Sequence, residues 1–286
     1  MAELLKGKPV VDSMAEDIRA RVAGLEPAGI TPTLALVRLG ARPDDLSYER
    51  TAVKRAAGLG IATKRYELAA DASQVDLASV LQSINDDVNV HGCLMFRPLP
   101  CSIDEKAMCD MLAAAKDVDG ISVASLAAVF TDDGSGFPPC TAEACVKMLD
   151  HYEIPIEGKH VVVIGRSLVI GKPVSMMLLR RNATVTMCHS RTKNLAEICR
   201  AADIVICATG RARAYGREYF SVGQTVLDVG INFDAEGNLC GDVDFSEVEP
   251  VVAAITPVPG GIGTVTTSLT MEHTVAAAEA ARRVVE

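Results

Sequence analysis

The sequence predicts an α/β protein in two parts, and three observations predict it. Strand-like and helix-like stretches alternate twice along the chain, as they do where a mostly parallel sheet is covered by helices. A stretch rich in Gly, Pro and Asp, "FTDDGSGFPPCTAEACVKMLDHYEI", separates the two series as a domain connection would. The second series opens with a β-branched run that breaks into a glycine turn, "HVVVIGRSLVIGKP". At 286 residues, 49% of them hydrophobic, the chain can bury two cores. Aromatics make up 4% with no Trp, so those cores must be built from Ala, Val, Leu and Ile.

The first series starts with an amphipathic helix over 10–26 and the strand "TPTLALVRLG", bounded by Pro32 and Gly40. The helix "LSYERTAVKRAAGLG" follows, carrying Tyr48 and the cations Arg50, Lys54 and Arg55. At about 100° per residue, Tyr48 and Lys54 lie roughly 120° apart around it, so they do not share a face. Next come the strand "ATKRYEL", the helix "ASQVDLASVLQSIND", and the buried strand "VHGCLMFRPLP" running into a loop. Beyond the connection, "ATVTMCHS", "DIVICATG", "QTVLDVGIN" and "AAITPVPGG" read as strands and "NLAEICRAA" as a helix. An Ala-rich amphipathic helix, "TSLTMEHTVAAAEAARRVVE", closes the chain.

Charge and composition exclude several classes. A net charge of −9 lacks the basic footprint of a nucleic-acid binder, while leaving room for a local cationic pocket. No apolar run reaches the length of a membrane span, and the charged start "MAELLKGKPVVDSMAEDIRA" does not read as a secretory signal. The nine cysteines form no C-x-x-C pair and no metal spacing, which predicts reduced, mostly buried thiols in a cytoplasmic protein and no metal.

The glycine turn carries the first functional signal. Gly165 and Gly171 at a strand-to-helix turn would let the backbone approach a pyrophosphate seated on the helix N-terminus. The pattern G-x-S-x-x-x-G differs from the usual G-x-G-x-x-G, and ordinary glycines of a βα turn would look the same. The next strand helps decide. NAD sites place an acidic residue at its end to hold the ribose, but here it ends His189, Ser190, Arg191, Lys193. With Arg166 and Ser167 in the turn, this predicts a cationic, hydroxyl-bearing pocket suited to the 2′-phosphate of NADP.

Six motifs stand in order: "KDVDG" (116–120), "FPPCT" (137–141), "GRSLVIGKP" (165–173), "ATVTMCHSRT" (183–192), "DVGIN" (228–232) and "PVPGGIGTVT" (257–266). In these the chain resembles the methylenetetrahydrofolate dehydrogenase/methenyltetrahydrofolate cyclohydrolase family over almost its whole length. The resemblance implies two domains around a cleft: an N-terminal α/β domain of residues 1–140 and 270–286 that binds folate, and a Rossmann-type NADP-binding domain of residues 141–269. It implies oxidation of 5,10-methylenetetrahydrofolate by NADP+, hydrolysis of the methenyl product to 10-formyltetrahydrofolate, and a homodimer.

Within that frame Asp119 matches the carboxylate that accepts the donor edge of the pterin. Tyr48 offers a flat face to a folate ring, and Pro259, Gly260 and Gly261 form a loop that backbone can bring close to the substrate. Thr209, Gly210 and Ile231 fall at the nicotinamide end of the cofactor, and Thr141 is expected to cap the helix joining the domains.

The chain also departs from the family. The family pattern around Tyr48 is Tyr, three residues, Lys, then a second Lys two further on. Lys54 matches the second, and the first, catalytic position is Ala52. The family's "GILVQLPLP" reads "GCLMFRPLP" here, with Phe96 at the Gln that contacts that Lys and Arg97 after it, and Thr264 stands where the family has Pro. Losing both partners of one hydrogen bond avoids the cost of about 1–3 kcal/mol for a buried group left unpaired. Hydride transfer needs mainly positioning, whereas adding water needs a proton carrier. The resemblance therefore keeps two readings open: the bifunctional enzyme, or a dehydrogenase with weak or lost cyclohydrolase activity. Arg97 is the candidate to take over electrostatic duties, since Arg50 and Lys54 point elsewhere.

Overall fold

The computed structural model describes residues 1–285, with side chains described through residue 282. The chain opens with a short strand, β1 (Glu3–Leu4), and a helix, α1 (Gly7–Leu25). Then β2 (Thr33–Leu39), α2 (Pro43–Gly58), β3 (Ala62–Leu68), α3 (Gln74–Asp86) and β4 (Gly92–Met95) alternate as expected. Three helices follow: α4 (Glu105–Met111), α5 (Val123–Thr131) and α6 (Cys140–His151). The second series is β5 (His160–Ile164), α7 (Gly171–Arg180), β6 (Thr184–Cys188), α8 (Leu195–Arg200), β7 (Ile204–Cys207) and β8 (Thr225–Asp228). A small hairpin of β9 (Asn232–Phe233) and β10 (Leu239–Cys240) precedes α9 (Phe245–Val248), β11 (Ala254–Ile255) and the long α10 (Ile262–Val285).

Contacts divide the chain into two compact units. One comprises Ser13–Cys140 with the chain from Thr267 on, the other Met1–Asp12 with Thr141–Thr266. The division read from sequence, 1–140 with 270–286 against 141–269, differs at both ends. Its main difference has a simple cause: β1 pairs in parallel with β11, Glu3 opposite Ala254, and so joins the later sheet. A two-residue strand has no periodicity to read.

In the unit of residues 13–140, β2 lies between β3 and β4 in a three-stranded parallel sheet. β2 is buried along nearly its whole length, as a central parallel strand is. Leu77, Leu81 and Ile84 of α3 pack on Val37, Cys93 and Met95. Helix α2 starts at Pro43, earlier than its apolar pattern suggests, because Pro suits the first helical position and Asp44 and Asp45 favour the positive end. It buries Asp45, Glu49, Ala52 and Ala56 along one stripe. Glu49 tolerates burial because Arg38 of β2 donates to it at 2.8 Å and Arg65 of β3 pairs with it at 3.2 Å. That clamp sets the rotation of α2 about its axis.

In the other unit six parallel strands run in the order β1-β11-β8-β7-β5-β6. The chain steps from β5 to β6 on one side and then crosses to β7 on the other, so the strand order reverses at β5. In such sheets ligands bind outside the carboxyl ends of the strands at that switch point. All nine thiols are free and all but Cys101 are buried. Among the described residues no helix is long and apolar enough to cross a membrane.

Candidate functional site

The rotation of α2 decides what the "SYERTAVKRA" helix presents. Ala52 is wholly buried, one turn along from Tyr48 on a neighbouring line of the helix, while Arg50 and Lys54 are exposed. Arg55 turns inward and donates to Ser268 Oγ at 2.7 Å. Burial lowers its pKa, an effect opposed by the nearby Tyr48. Tyr48 keeps 38% of its surface exposed. Its ring meets Phe96 edge-on at 5.9 Å, and Thr267 Oγ1 donates to its hydroxyl at 3.5 Å. Burial pushes the phenol's pKa up, so near neutral pH it is a proton donor and not a phenolate. Phe96, only 7% exposed, therefore has a packing role: it backs the Tyr48 ring.

The structure separates the roles within "KDVDG". Lys116 is spent on the end of α3, donating to the carbonyls of Ile84, Asn85 and Asp87 at 2.7–2.9 Å. Asp117, fully buried, accepts the backbone N–H groups of Ile121 and Ser122. Asp119 is the remaining carboxylate of the motif, partly exposed. Arg97 Nη2 stands 3.9 Å from its Oδ2, and Arg97 Nη1 lies 3.5 Å from Glu105 Oε1. Glu105 in turn accepts the Leu99 N–H at 2.8 Å, which ties the guanidinium to the loop that carries it. Burial pushes the Asp119 carboxyl up to about 6; Arg97 opposes the shift and Asp117 adds to it. Tyr48, Arg97 and Asp119 are thus brought together, with Tyr48 close enough to feel the Asp119 charge.

Beside them lies a pair that sequence reasoning did not single out. Cys140 Sγ is 3.7 Å from His273 Nδ1, which bonds the Val118 carbonyl at 2.8 Å, and the imidazole stacks on Phe137 at 4.8 Å. Burial raises the Cys140 thiol and keeps it unreactive. Thr141 does not cap α6: the helix already begins at Cys140, and the Thr141 carbonyl accepts from Cys145 Sγ inside it.

In the other unit the glycine turn joins β5 to α7. Gly165 has φ of +141°, and a Cβ there would collide with the Ala208 carbonyl. A Cβ at Gly171 would collide with the Gly165 carbonyl, so the turn closes only with glycine at both positions. Ser167 Oγ accepts the Ile170 N–H at 3.1 Å and shapes the turn. Arg166 is exposed on it. Ile164 pairs with Cys188, which sets this turn next to the end of β6, where Ser190, Arg191 and Lys193 are also exposed. A backbone cradle beside cations, with no carboxylate at the β6 end, fits a dinucleotide with an extra phosphate. Thr209 and Gly210 follow β7, and Ile231, 65% exposed, follows β8. Pro259, Gly260 and Gly261 follow β11, where the Gly260 carbonyl accepts the Gly7 N–H at 2.8 Å.

Behind Thr209 and Gly210 sit two carboxylates that sequence reasoning passed over. Asp242 is wholly buried and Asp228 nearly so. Burial pushes Asp228 up to about 7, against three backbone N–H groups that favour its charged form.

A six-stranded parallel sheet with a glycine cradle at its switch point defines a dinucleotide-binding α/β protein. Residues 139–282 match the tetrahydrofolate dehydrogenase/cyclohydrolase NAD(P)-binding domain, and residues 5–119 match the catalytic domain of the same name. The chain belongs to the tetrahydrofolate dehydrogenase/cyclohydrolase family. It is 50% identical to the bifunctional protein FolD of Carboxydothermus hydrogenoformans over 281 residues, 98% of each chain. The Clostridioides difficile protein of the same name is 50% identical over 275 residues, 96% of each. Among solved structures it is similar to the bifunctional FolD enzyme of Campylobacter jejuni, at 36% identity and a TM-score of 0.94 over 98% of this chain and 99% of that one. It is also similar to the Trypanosoma brucei methylenetetrahydrofolate dehydrogenase-cyclohydrolase, solved with NADP and an inhibitor, at 33% identity and a TM-score of 0.91 over 99% of each.

Proposed function

We propose that the chain oxidises 5,10-methylenetetrahydrofolate with NADP+ to the methenyl form and hydrolyses that product to 10-formyltetrahydrofolate. The relatives named bifunctional, at about 50% identity across the whole chain, support both steps, and nothing among them favours a dehydrogenase alone. The observation that carries the substrate reading is Asp119: of the two carboxylates in its motif, it is the one not tied into the backbone of the following turn, and a guanidinium faces it.

In this reading the ionised Asp119 accepts the paired N–H groups of the pterin, Tyr48 lies along the ring system, and Arg97 orients the Asp119 carboxylate. Gly165, Arg166, Ser167, Gly171, Ser190 and Arg191 hold the phosphates and adenosine end of NADP, and Thr209, Gly210 and Ile231 hold its nicotinamide end. Pro259, Gly260 and Gly261 contribute backbone to the substrate. NADP+, when bound, supplies the hydride acceptor. For hydrolysis, water adds to the methenyl carbon and loses a proton, and the carbon's bond to N5 then breaks as N5 takes up a proton, leaving the formyl group on N10. Ala52 carries no group that could take the water's proton, and Tyr48, one turn along the same helix, is the proton-bearing group beside it.

The test follows methylenetetrahydrofolate-dependent NADPH formation and, separately, the decay of added methenyltetrahydrofolate. Reduction of NADP+ together with methenyl decay faster than in buffer is the expected result. Decay at the buffer rate would remove the hydrolytic half, and no NADPH would remove the whole reading. The reading extends to a cytoplasmic homodimer, and sedimentation as a single 30.2 kDa chain would remove that part.

A further inference from the structure

The nicotinamide-end loops are held from behind by one carboxylate. Asp242, between Gly241 and Val243 after the β9–β10 hairpin, has no solvent exposure. Its Oδ2 accepts the Thr209 N–H at 2.5 Å, the Thr209 hydroxyl at 2.9 Å and the Gly210 N–H at 3.1 Å. Its Oδ1 accepts the Arg211 N–H at 2.8 Å and the Asn232 side-chain amide at 2.9 Å. These five donors come from two segments, the loop after β7 and the strand-end after β8. Those are the two segments that carry Thr209, Gly210 and Ile231.

The carboxylate is itself seated by its neighbour. Asp228, the last residue of β8, accepts the N–H groups of Asp242 and Val243 at 2.9 Å each and that of Gly230 at 3.0 Å. The Asp228 N–H donates to Thr256 Oγ1 at 2.7 Å, which ties the knot to the end of β11. The close approach depends on glycine: a Cβ at Gly230 would strike Asp242, and one at Gly241 would strike Asp228. A lone structural cap would satisfy one loop. Here a single side chain fixes the spacing between the carboxyl ends of two adjacent strands, β7 and β8, where a planar ring of the cofactor would have to be gripped.

We propose that Asp242 is a positioning residue for the dehydrogenase step, setting the spacing of the Thr209–Arg211 loop and the Gly230–Asn232 strand end that receive the nicotinamide. The inference rests on the NADP reading above. It does not extend to the phosphate cradle at Gly165–Gly171, which the Asp242 side chain does not bond.

That division gives the test. Asp242→Asn keeps the shape but replaces an acceptor oxygen with a donor, so some of the five bonds must break. Binding of NADP+ and of 2′,5′-ADP, which has the 2′-phosphate end but no nicotinamide, is measured by calorimetry on wild type and variant, alongside steady-state kinetics. The expected result is about tenfold weaker NADP+ binding and a lowered kcat, with 2′,5′-ADP affinity and the KM for methylenetetrahydrofolate unchanged. Equal weakening of both ligands, or no change in either, overturns the proposal. Should Asp242→Asn fail to fold, Asn232→Ala removes one of the five donors and is expected to weaken NADP+ about threefold without touching 2′,5′-ADP. No change there overturns it equally. Wild type that binds NADP+ but never reduces it with methylenetetrahydrofolate counts against the proposed reaction and leaves the Asp242 comparison readable.

Discussion

In the unit of residues 13–140, the residues proposed to meet the folate present side-chain tips. Tyr48 projects from α2, Arg97 from the loop after β4, and Asp119 from a turn, and they meet through long side chains. In the unit of residues 141–266 the surface proposed to meet the cofactor is largely backbone at Gly165–Gly171 and Thr209–Gly210, and two carboxylates, Asp228 and Asp242, lie buried behind Thr209 and Gly210. The difference teaches where each half is vulnerable. A partly exposed carboxylate beside a cation is tuned by its neighbours' charge, so its chemistry can change without its fold changing. Backbone N–H groups do not titrate, and a cradle built of them fails when the spacing behind it fails.

The strongest way to break that contrast is Asp119→Asn. It keeps the shape and removes the acceptor pair, so kcat/KM for methylenetetrahydrofolate should fall by about a hundredfold or more while NADP+ binding and the melting temperature hold. A matched loss of NADP+ affinity would mean that the halves are not separable in this way. The converse probe is Gly171→Ala, which drives a methyl group against the Gly165 carbonyl. It should weaken NADP+ about tenfold or more and leave folate affinity unchanged, read by calorimetry with each ligand alone.

Arg97→Leu sharpens the electrostatic side of the comparison. Burial raises the Asp119 carboxyl to about 6, and the Arg97 guanidinium is the main group opposing that rise. If the ionised form binds substrate, kcat/KM falls as pH drops through about 6. Removing the guanidinium favours the neutral acid, so this limb should move to higher pH and the rate at neutral pH should fall by about tenfold. A pH–rate profile superimposable on wild type would remove Arg97 from the site. The smallest effect is expected from Lys54→Ala. Lys54 is exposed, no ion pair involves it among those of the described residues, and kinetics should stay within about twofold. A larger loss would show that Lys54 reaches the site despite the face it occupies.

How much of this was legible beforehand follows the type of feature. The fold class, the glycine turn and the family motifs were readable because they depend on local conformation: a β-branched run, a turn that admits only glycine, a helix-opening Pro. Within "KDVDG" the family resemblance singled out Asp119, but residue type alone does not say which carboxylate is spent on backbone. Asp117 and Asp119 are two residues apart and the same type, and only the path of the turn distinguishes them. The Arg97–Asp119 approach joins residues 22 positions apart in sequence, and the Cys140–His273 pair joins residues 133 apart. Neither separation follows a helical or strand period.

By itself, then, the sequence determined the alternation of elements, the cofactor turn, the absence of a carboxylate after β6, and the replacement at Ala52. Each is a property of residues close together along the chain, where steric and propensity rules act. Tertiary structure alone decided that β1 crosses to the later sheet, that Arg97 faces Asp119, that Thr141 lies within its helix and not at its cap, and that Asp242 gathers two strand ends. Those outcomes depend on which buried polar groups find partners across the fold, and a carboxylate's partners are chosen by packing at long range, not by its neighbours in sequence.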